Sequence, residues 1–211
     1  MIDSLVAAAV HDAKNALLVL DTQLAQAQSH PASADFSGAR AQVMRVAAQL
    51  TELLTLYRSQ NGQLRLTIDD CDLTDFLDDS ACELGALPPG IELKIDRSVA
   101  VALGVWAFDA HLIKLALLDA LRNALRHAKS EICFSLVREP GGGIRFIVVD
   151  DGPGYPAAVL AGEQAHAGND GTGLGLSFAR LIAATHATPD GRRGRLELAN
   201  TPGACLALIL P

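Results

Sequence analysis

Three glycines occupy alternate positions in Gly171-Thr172-Gly173-Leu174-Gly175, directly before an apolar segment that is typical of a helix. Glycine has no Cβ, so such a turn can bring its backbone N–H groups close to a ligand, and the helix N-terminus that follows attracts anions. The pattern indicates either a phosphate-binding turn or a purely structural one. It is not a Walker loop, because no lysine follows the last glycine, and no strand-like segment precedes it as in a dinucleotide-binding fingerprint.

Asp150 follows the apolar residues Val148 and Val149 and precedes Gly152 and Gly154. A carboxylate at the end of a strand, followed by two glycines, indicates either a tight turn or an acceptor for an exocyclic amine of a ligand. A hydrogen bond to such a charged acceptor contributes roughly 1.5–3 kcal/mol. We expect the replacement of Asp150 by alanine to weaken ligand binding while the fold persists.

Four polar residues, Asp119, Asn123, Arg126 and His127, share one face of a predicted helix. This face is either the solvated side of the helix or a binding site. The apolar side is already complete without it, and asparagine is unfavourable in mid-helix, which favours a site. A carboxylate and an amide oxygen one turn apart suit Mg²⁺ and its waters, and Arg126 and His127 would then reach phosphates or an adenine ring.

His11 follows a residue of an apolar helical seam, so it should flank that seam within reach of solvent. A single histidine on a helix is usually an ordinary surface residue. Here Asp12 lies beside it and can accept the Nδ1 proton, which leaves Nε2 as a nucleophile. His11 is therefore a candidate nucleophile.

Two apolar seams with spacings of four and three predict two helices near the start of the chain. The first runs to about Gln28, and the second runs from Ala39 to Tyr57 after a polar turn at 29–38. The two helices should form an antiparallel hairpin. One hairpin buries too little surface to stand alone, so we expect two copies to pair as a four-helix bundle in a homodimer.

After residue 60 the apolar period changes, which predicts two domains, 1–60 and 61–211. The predicted helices of the second domain cover Leu73–Leu84, Asp109–His127 and the segment from the glycine-rich turn to Ala184. The predicted strands are Leu64–Ile68, Ile91–Ile95, Ile132–Val137, Ile144–Val149, Arg195–Ala199 and Ala204–Leu210. This order predicts an α+β sandwich with a largely antiparallel sheet.

The composition excludes several classes of function. The chain has 211 residues, of which 50% are hydrophobic and 4% aromatic, and its formal charge is −7. The acidic balance argues against nucleic acid as a partner. No run of about 18 apolar residues is present, so we expect no membrane insertion. The four cysteines lack metal-ligand spacing, which is typical of reduced thiols in a cytoplasmic protein.

The motifs taken together resemble the ATP-binding domain of the histidine kinases, whose wider relatives are the type II topoisomerases and the Hsp90-like chaperones. The matching segments are LLDALRNALRHA around Asn123, VVDDGPG around Asp150 and GTGLGLSFAR from Gly171. The N-terminal hairpin, with VHDAKNALL around His11, resembles the dimerisation and phosphoacceptor domain of the same family. The resemblance covers essentially the whole chain and implies a GHKL-type α/β sandwich after the helical hairpin.

For the nucleotide, the resemblance implies a role for each matching residue. Asp150 would bind the adenine amine of ATP, and Gly152 and Gly154 would allow its close approach. Asn123, supported by Asp119, would ligate the Mg²⁺ that bridges the phosphates. The glycines of the turn would hinge the nucleotide lid and offer backbone donors to the phosphates.

For the hairpin, the resemblance implies that His11 accepts the phosphoryl group. Asn15 would orient the water that hydrolyses the phosphoryl-aspartate of a response regulator. The chain departs from the family pattern at Asp12, where glutamate is frequent, and at Ala16, where proline is frequent. The lid at 155–170 is short and lacks an aromatic motif that many members have.

The sequence therefore predicts an ATP-dependent protein-histidine kinase whose partners are a response regulator receiver domain and a separate sensor or input protein. One alternative is a histidine phosphotransferase or phosphatase adaptor, which has no need of the nucleotide-binding residues. Another is a GHKL-type ATPase or serine kinase, which has no need of the hairpin with His11.

Overall fold

The computed structural model describes residues 17–18, 21–22, 36–162 and 174–211. Residues 17–18 and 21–22 are helical, and the rest of the predicted first helix lies outside the described residues. The same holds for six of the candidate residues, which are His11, Asp12, Asn15, Gly171, Thr172 and Gly173.

The helices and strands of the described residues have the following bounds. The helices are α1 (Phe36–Gln60), α2 (Leu73–Cys82), α3 (Ser98–Leu103), α4 (Ala110–His127), α5 (Ala157–Leu160) and α6 (Leu174–Thr185). The strands are β1 (Asp69–Asp72), β2 (Glu92–Asp96), β3 (Val105–Phe108), β4 (Glu131–Arg138), β5 (Ile144–Asp150), β6 (Arg195–Asn200) and β7 (Ala204–Leu210). None of the described helices is both long and apolar enough to pass through a bilayer.

The chain divides into two compact units, with the main boundary between Leu64 and Arg65. The first unit contains α1, which begins at Phe36 and so takes in the last residues of the predicted turn at 29–38. That part of the turn prediction was wrong, because a single glycine at position 38 costs only about 1 kcal/mol within a long helix.

Helix α1 carries a row of exposed apolar side chains. Val43, Leu50 and Tyr57 are seven residues apart and expose 49%, 52% and 58% of their surface. Val46, which belongs to the same seam, is buried, as is Leu56. The predicted seam therefore contains a buried residue, Val46, and three exposed ones.

The second unit contains a five-stranded sheet in the order β2-β4-β5-β7-β6. Only the pairing of β2 with β4 is parallel, and the other three pairings are antiparallel. The prediction of a largely antiparallel sheet is confirmed. Buried and half-buried residues alternate along β4 and β5, so one face of the sheet carries the core beneath the helices.

The prediction of a strand at Leu64–Ile68 is wrong. That segment forms no ladder, and the backbone N–H of Thr67 donates instead to the Asp109 carboxylate at the start of α4 (2.9 Å). The strand β1 follows it and pairs with β3 in a separate two-stranded sheet. Three of the four β1 residues are aspartates, which are rare in strands. The strand β3 lies in a uniformly apolar segment, so neither strand shows the alternation of apolar and polar residues that would predict it.

Capping aspartates mark the N-termini of two helices of the second unit. Asp72 caps α2 by accepting hydrogen bonds from Thr74 N (2.8 Å) and Asp75 N (3.0 Å). Asp109 caps α4 by accepting from Leu112 N (3.0 Å). These caps satisfy backbone donors at the helix N-termini and explain why both helices start where the sequence predicts.

Three aromatic rings join the layers of the second unit. Phe76 of α2 packs edge-on against Phe108 of β3 with ring centroids 5.1 Å apart, and Phe146 of β5 lies 5.3 Å from Phe76 and 5.8 Å from Phe108. All three side chains are buried. Aromatic pairs of this geometry contribute roughly 0.5–1.5 kcal/mol beyond their burial, so the cluster fixes α2 and β3 against the sheet.

A buried histidine joins the end of α6 to the start of α4. The Nε2 atom of His186 accepts a hydrogen bond from Asp109 N (3.1 Å), and its Nδ1 donates to Ile182 O (2.8 Å). Burial lowers the pKa of His186, although the bond to Ile182 and the Asp109 charge oppose the shift. The neutral ring therefore holds in register the two helices that carry candidate residues.

Candidate nucleotide-binding site

Asp150 is the last residue of β5, and its side chain is buried with 3% of the residue exposed. Its Oδ1 atom accepts hydrogen bonds from Gly152 N (2.8 Å) and Ala204 N (3.2 Å). Among the described residues, no group donates to Oδ2. One carboxylate oxygen therefore fixes the turn after β5 and the start of β7, and the other can accept a hydrogen bond from a ligand.

The glycines around Asp150 are required by the chain's own backbone. A Cβ at Gly152 would lie 2.4 Å from His127 O, and a Cβ at Gly203 would lie 2.5 Å from Asp150 O. The end of α4, the turn after β5 and the start of β7 thus meet without side chains between them. Gly152 was expected to make room for a ligand, but the group that approaches it most closely is protein backbone.

Asp151 has a different task from its neighbour. Its carboxylate accepts hydrogen bonds from Lys129 N (2.7 Å), Ser130 N (3.0 Å) and Ser130 Oγ (2.6 Å). The bonds from Ser130 are the main reason that the pKa of Asp151 lies far below its usual range. Asp151 therefore ties β5 to the turn after α4, a role that the sequence did not reveal.

Asp119 lies against the first turn of α6. A Cβ on Gly175 would stand 1.9 Å from Asp119 Oδ2, so only glycine fits at this position. Burial raises the pKa of Asp119, and the charges of Arg126 and Arg122 oppose the shift. A carboxylate at a helix N-terminus is favourable, so Asp119 helps to place the start of α6, in addition to its predicted place beside Asn123.

The remaining polar residues of the α4 face lie in its last two turns. Asn123 is half-buried, and its Oδ1 accepts a hydrogen bond from the exposed Arg126 (3.3 Å). His127 is half-buried, and its carbonyl oxygen is the atom that approaches Gly152. The polar face of α4 predicted from the sequence thus extends from Asp119, which lies against the start of α6, to His127, whose carbonyl oxygen lies against the turn after Asp150.

Sequence reasoning missed Tyr155 and Asn200. The Asn200 side chain accepts a hydrogen bond from Tyr155 N (2.7 Å) through Oδ1 and donates one to Tyr155 O (3.0 Å) through Nδ2. Gly154 has φ +82°, and a Cβ there would lie 2.6 Å from the Asn200 amide. Asn200 lies between two predicted strands, and no local pattern links it to a residue 45 positions away.

The residues present fit an adenine nucleotide with Mg²⁺. Within the described ranges, no three His, Cys, Asp or Glu side chains gather as a metal centre. Mg²⁺ that is bound mainly through substrate phosphates needs only one or two protein oxygens, and the Asn123 amide oxygen is of the right type. Asp150 supplies a carboxylate oxygen for an amine, and the start of α6 supplies the positive end of a helix dipole.

Comparison with known proteins agrees with this geometry. Residues 108–211 match the family of histidine kinase-, DNA gyrase B- and HSP90-like ATPases. The Escherichia coli (strain K12) sensor protein KdpD is 26% identical over 225 residues, which cover 99% of this chain and 24% of that protein. The Streptomyces coelicolor signal transduction histidine-protein kinase AfsQ2 is 30% identical over 170 residues, which cover 75% of this chain and 29% of that protein.

The fold is also that of a solved histidine kinase. The structure of the Acinetobacter baumannii histidine kinase AdeS matches 95% of this chain and 96% of its own with a TM-score of 0.58 at 18% identity. The chain spans less than a third of the length of the two curated relatives above. Residues 108–211 belong to the histidine kinase-, DNA gyrase B- and HSP90-like ATPases, and the chain as a whole is similar to two-component sensor histidine kinases.

Proposed function

We propose that this chain is the catalytic part of an ATP-dependent protein-histidine kinase that phosphorylates His11 and passes the phosphoryl group to an aspartate of a response regulator receiver domain. The observation that carries the proposal is the buried Asp150, which has one oxygen tied to backbone and a second oxygen without a donor among the described residues. This geometry suits the exocyclic amine of adenine.

The other candidate residues would act on the rest of the nucleotide. The turn Gly171–Gly175, with Thr172 and Leu174, would offer backbone N–H groups to the phosphates beside the N-terminus of α6. Arg126 and His127 would lie beside the phosphates or the base. Asp119 would keep the start of α6 in place, as its contact with Gly175 supports.

Asn123 would hold Mg²⁺ through its amide oxygen. When bound, Mg²⁺ supplies charge that offsets the negative charge of the phosphates during transfer. Arg126 donates to the same amide oxygen and would turn towards the phosphates when the amide is engaged.

At His11, Asp12 would keep the proton on Nδ1, so that Nε2 presents its lone pair to the γ-phosphorus of ATP. A P–N bond forms as the bond between the γ-phosphorus and the bridging oxygen breaks, and ADP leaves with that electron pair. The barrier falls mainly through the positioning of the two reactants. Asn15 would orient a water for the hydrolysis of the phosphorylated receiver.

We further propose that domains 1–60 and 61–211 divide these tasks and that the first pairs with a second copy. The exposed apolar residues Val43, Leu50 and Tyr57, which repeat every seven positions along α1, support such a pairing. A separate protein or segment would supply the sensory input.

Labelling with ATP that carries a radioactive γ-phosphate tests the proposal. We expect the wild-type chain to label in the presence of Mg²⁺ and the Asn123→Ala variant to lose labelling while it retains weak ADP binding. Wild-type protein that takes up no label but accepts a phosphoryl group from a phosphorylated receiver would be an adaptor, and the kinase assignment would be rejected.

A further inference from the structure

Residues 65–68, here called the entry segment, carry the chain into the second unit and are held there by an acidic side chain. The Asp109 carboxylate caps α4 through Oδ1, which accepts from Leu112 N (3.0 Å). Its other oxygen, Oδ2, accepts a hydrogen bond from Thr67 N (2.9 Å). Asp109 is only 5% exposed, so these N–H donors offset the cost of burying its carboxylate. One carboxylate therefore joins the entry segment to the first turn of α4.

The same junction reaches α6 through His186. The Nε2 atom of His186 accepts from Asp109 N (3.1 Å), and its Nδ1 donates to Ile182 O within α6 (2.8 Å). The carbonyl oxygen of His186 accepts from Gly194 N (2.9 Å), directly before β6. The entry segment, α4, α6 and the start of β6 thus meet at two buried polar side chains, those of Asp109 and His186.

Helix α6 is attached to α4 at two points. At one end His186 binds Asp109, and at the other end Gly175 lies against Asp119. The contacts are ten residues apart along α4 (109 to 119) and eleven apart along α6 (175 to 186), which corresponds to roughly 15 Å and 16 Å. The two helices therefore run side by side in opposite directions with matched lengths. Because helices move as rigid elements, α6 cannot shift at Gly175 without disturbing the bond at His186.

The entry segment is lightly packed. Thr67 is exposed, Ile68 exposes 47% of its surface, and Leu66 is half-buried. A cavity of about 220 Å³ is lined by Leu66 and Ile68 together with His186 and Leu210 of the folded unit. Few buried apolar contacts place a segment at the low end of local stability. The entry segment can therefore leave its place while the rest of the second unit stays folded.

We propose that Asp109 and His186 form a latch that docks the entry segment and couples its docking to the binding of an adenine nucleotide. The identity of the ligand rests on the proposed function. Docking supplies the donor that Oδ2 of the buried Asp109 requires, and so holds the junction in the arrangement that keeps Gly175 against Asp119. A nucleotide that binds this arrangement more tightly favours docking, and docking strengthens nucleotide binding by the same factor.

Asp109→Ser tests the latch selectively. A serine at a helix N-cap still accepts the hydrogen bond from Leu112 N, but its shorter side chain has no second oxygen for Thr67 N. Amide hydrogen exchange of the full chain should be slow at Thr67 in the wild type and fast in Asp109→Ser. Saturating ADP with Mg²⁺ should slow the exchange of Thr67 in the wild type by about a further 5-fold, the lower end of typical coupling between sites. In calorimetry, Asp109→Ser should bind ADP more weakly by the same factor.

Two substitutions at His186 test its part in the latch. His186→Leu leaves the buried Asp109 N–H without an acceptor, so it should speed the exchange of Thr67 and weaken ADP binding. His186→Gln offers an amide oxygen to the same N–H and should retain most of both properties. Equal effects of the two substitutions on Thr67 exchange and ADP affinity would remove His186 from the latch.

Asp72→Ser is the matched control, because Asp72 caps α2 through Thr74 N and Asp75 N of its own helix. It should change neither the exchange of Thr67 nor the affinity for ADP. Thr67 exchange that does not respond to ADP, in a wild type that binds ADP, would overturn the coupling. Wild-type ADP affinity in Asp109→Ser would overturn it as well. A wild-type chain that binds no ADP would reject the proposed function, and the coupling with it.

Discussion

Asp150→Asn is the substitution that best separates the two tasks of Asp150. The carboxylate serves protein backbone with Oδ1 and would serve adenine with Oδ2. An asparagine has a single oxygen. If that oxygen keeps the N–H groups of Gly152 and Ala204, an NH₂ group faces the adenine amine, and two donors meet. We therefore expect the loss of a charge-assisted bond of roughly 1.5–3 kcal/mol, or about 10- to 150-fold in ADP affinity.

The cost to the fold should be smaller. The two backbone N–H groups keep an acceptor in Asp150→Asn but lose its charge, which corresponds to about 1 kcal/mol in the free energy of unfolding. Asp150→Ala is less informative, because it leaves both buried donors without an acceptor at roughly 1–3 kcal/mol each. The expectation from the sequence, that the fold persists without the Asp150 carboxylate, overlooked these two bonds.

Asp151→Asn is the matched control for calorimetric titration with ADP and Mg²⁺. The Asp151 carboxylate bonds to the segment Lys129–Glu131, which contains no candidate site residue, so its variant should have a lower melting temperature and unchanged ADP affinity. Equal losses of affinity in Asp150→Asn and Asp151→Asn would refute the reasoning, because both would then act through the stability of the turn.

Three further substitutions test other parts of the account. Gly175→Ala should lower both the melting temperature and ADP affinity, since its Cβ overlaps Asp119, and adding Asp119→Ala should recover part of the melting temperature. The pKa of His186 is lowered on folding, so its contribution to stability is complete above about pH 6.5 and declines below it. His186→Gln should therefore lose less melting temperature than wild type when the pH falls from 7 to 5. Asn15→Ala should retain autophosphorylation and lose phosphatase activity towards a phosphorylated response regulator, whereas equal losses would mean that the amide supports the helix.

The parts of the fold that the sequence predicted well have strong local signals. The helix α4 begins at a capping aspartate and continues with an apolar period, and its polar face carries Asp119 and Asn123 as predicted. Along this helix Leu115 and Leu125 are only half-buried, whereas Ile113 and Leu117 are fully buried. The helix is covered on a wider arc than a single stripe, because it lies on the sheet and also contacts neighbouring helices.

The parts that the sequence missed depend on contacts between distant residues. The strand β1 is rich in aspartate and is stabilised by pairing with β3, which no local pattern announces. The hydrogen bonds between Asn200 and Tyr155, and those that Ser130 donates to Asp151, likewise join residues far apart in the chain. Side-chain type and spacing made Asp150 the candidate adenine acceptor, but they could not show which of its oxygens the backbone already uses.

The chemical nature of the phosphorylated residue is the most direct test of the central claim. After incubation with labelled ATP and Mg²⁺, the account predicts a label that acid removes and alkali does not, that is lost in His11→Gln and that persists in His111→Gln, whose histidine is exposed on α4. An acid-stable label, or a label that survives in His11→Gln, would contradict the account.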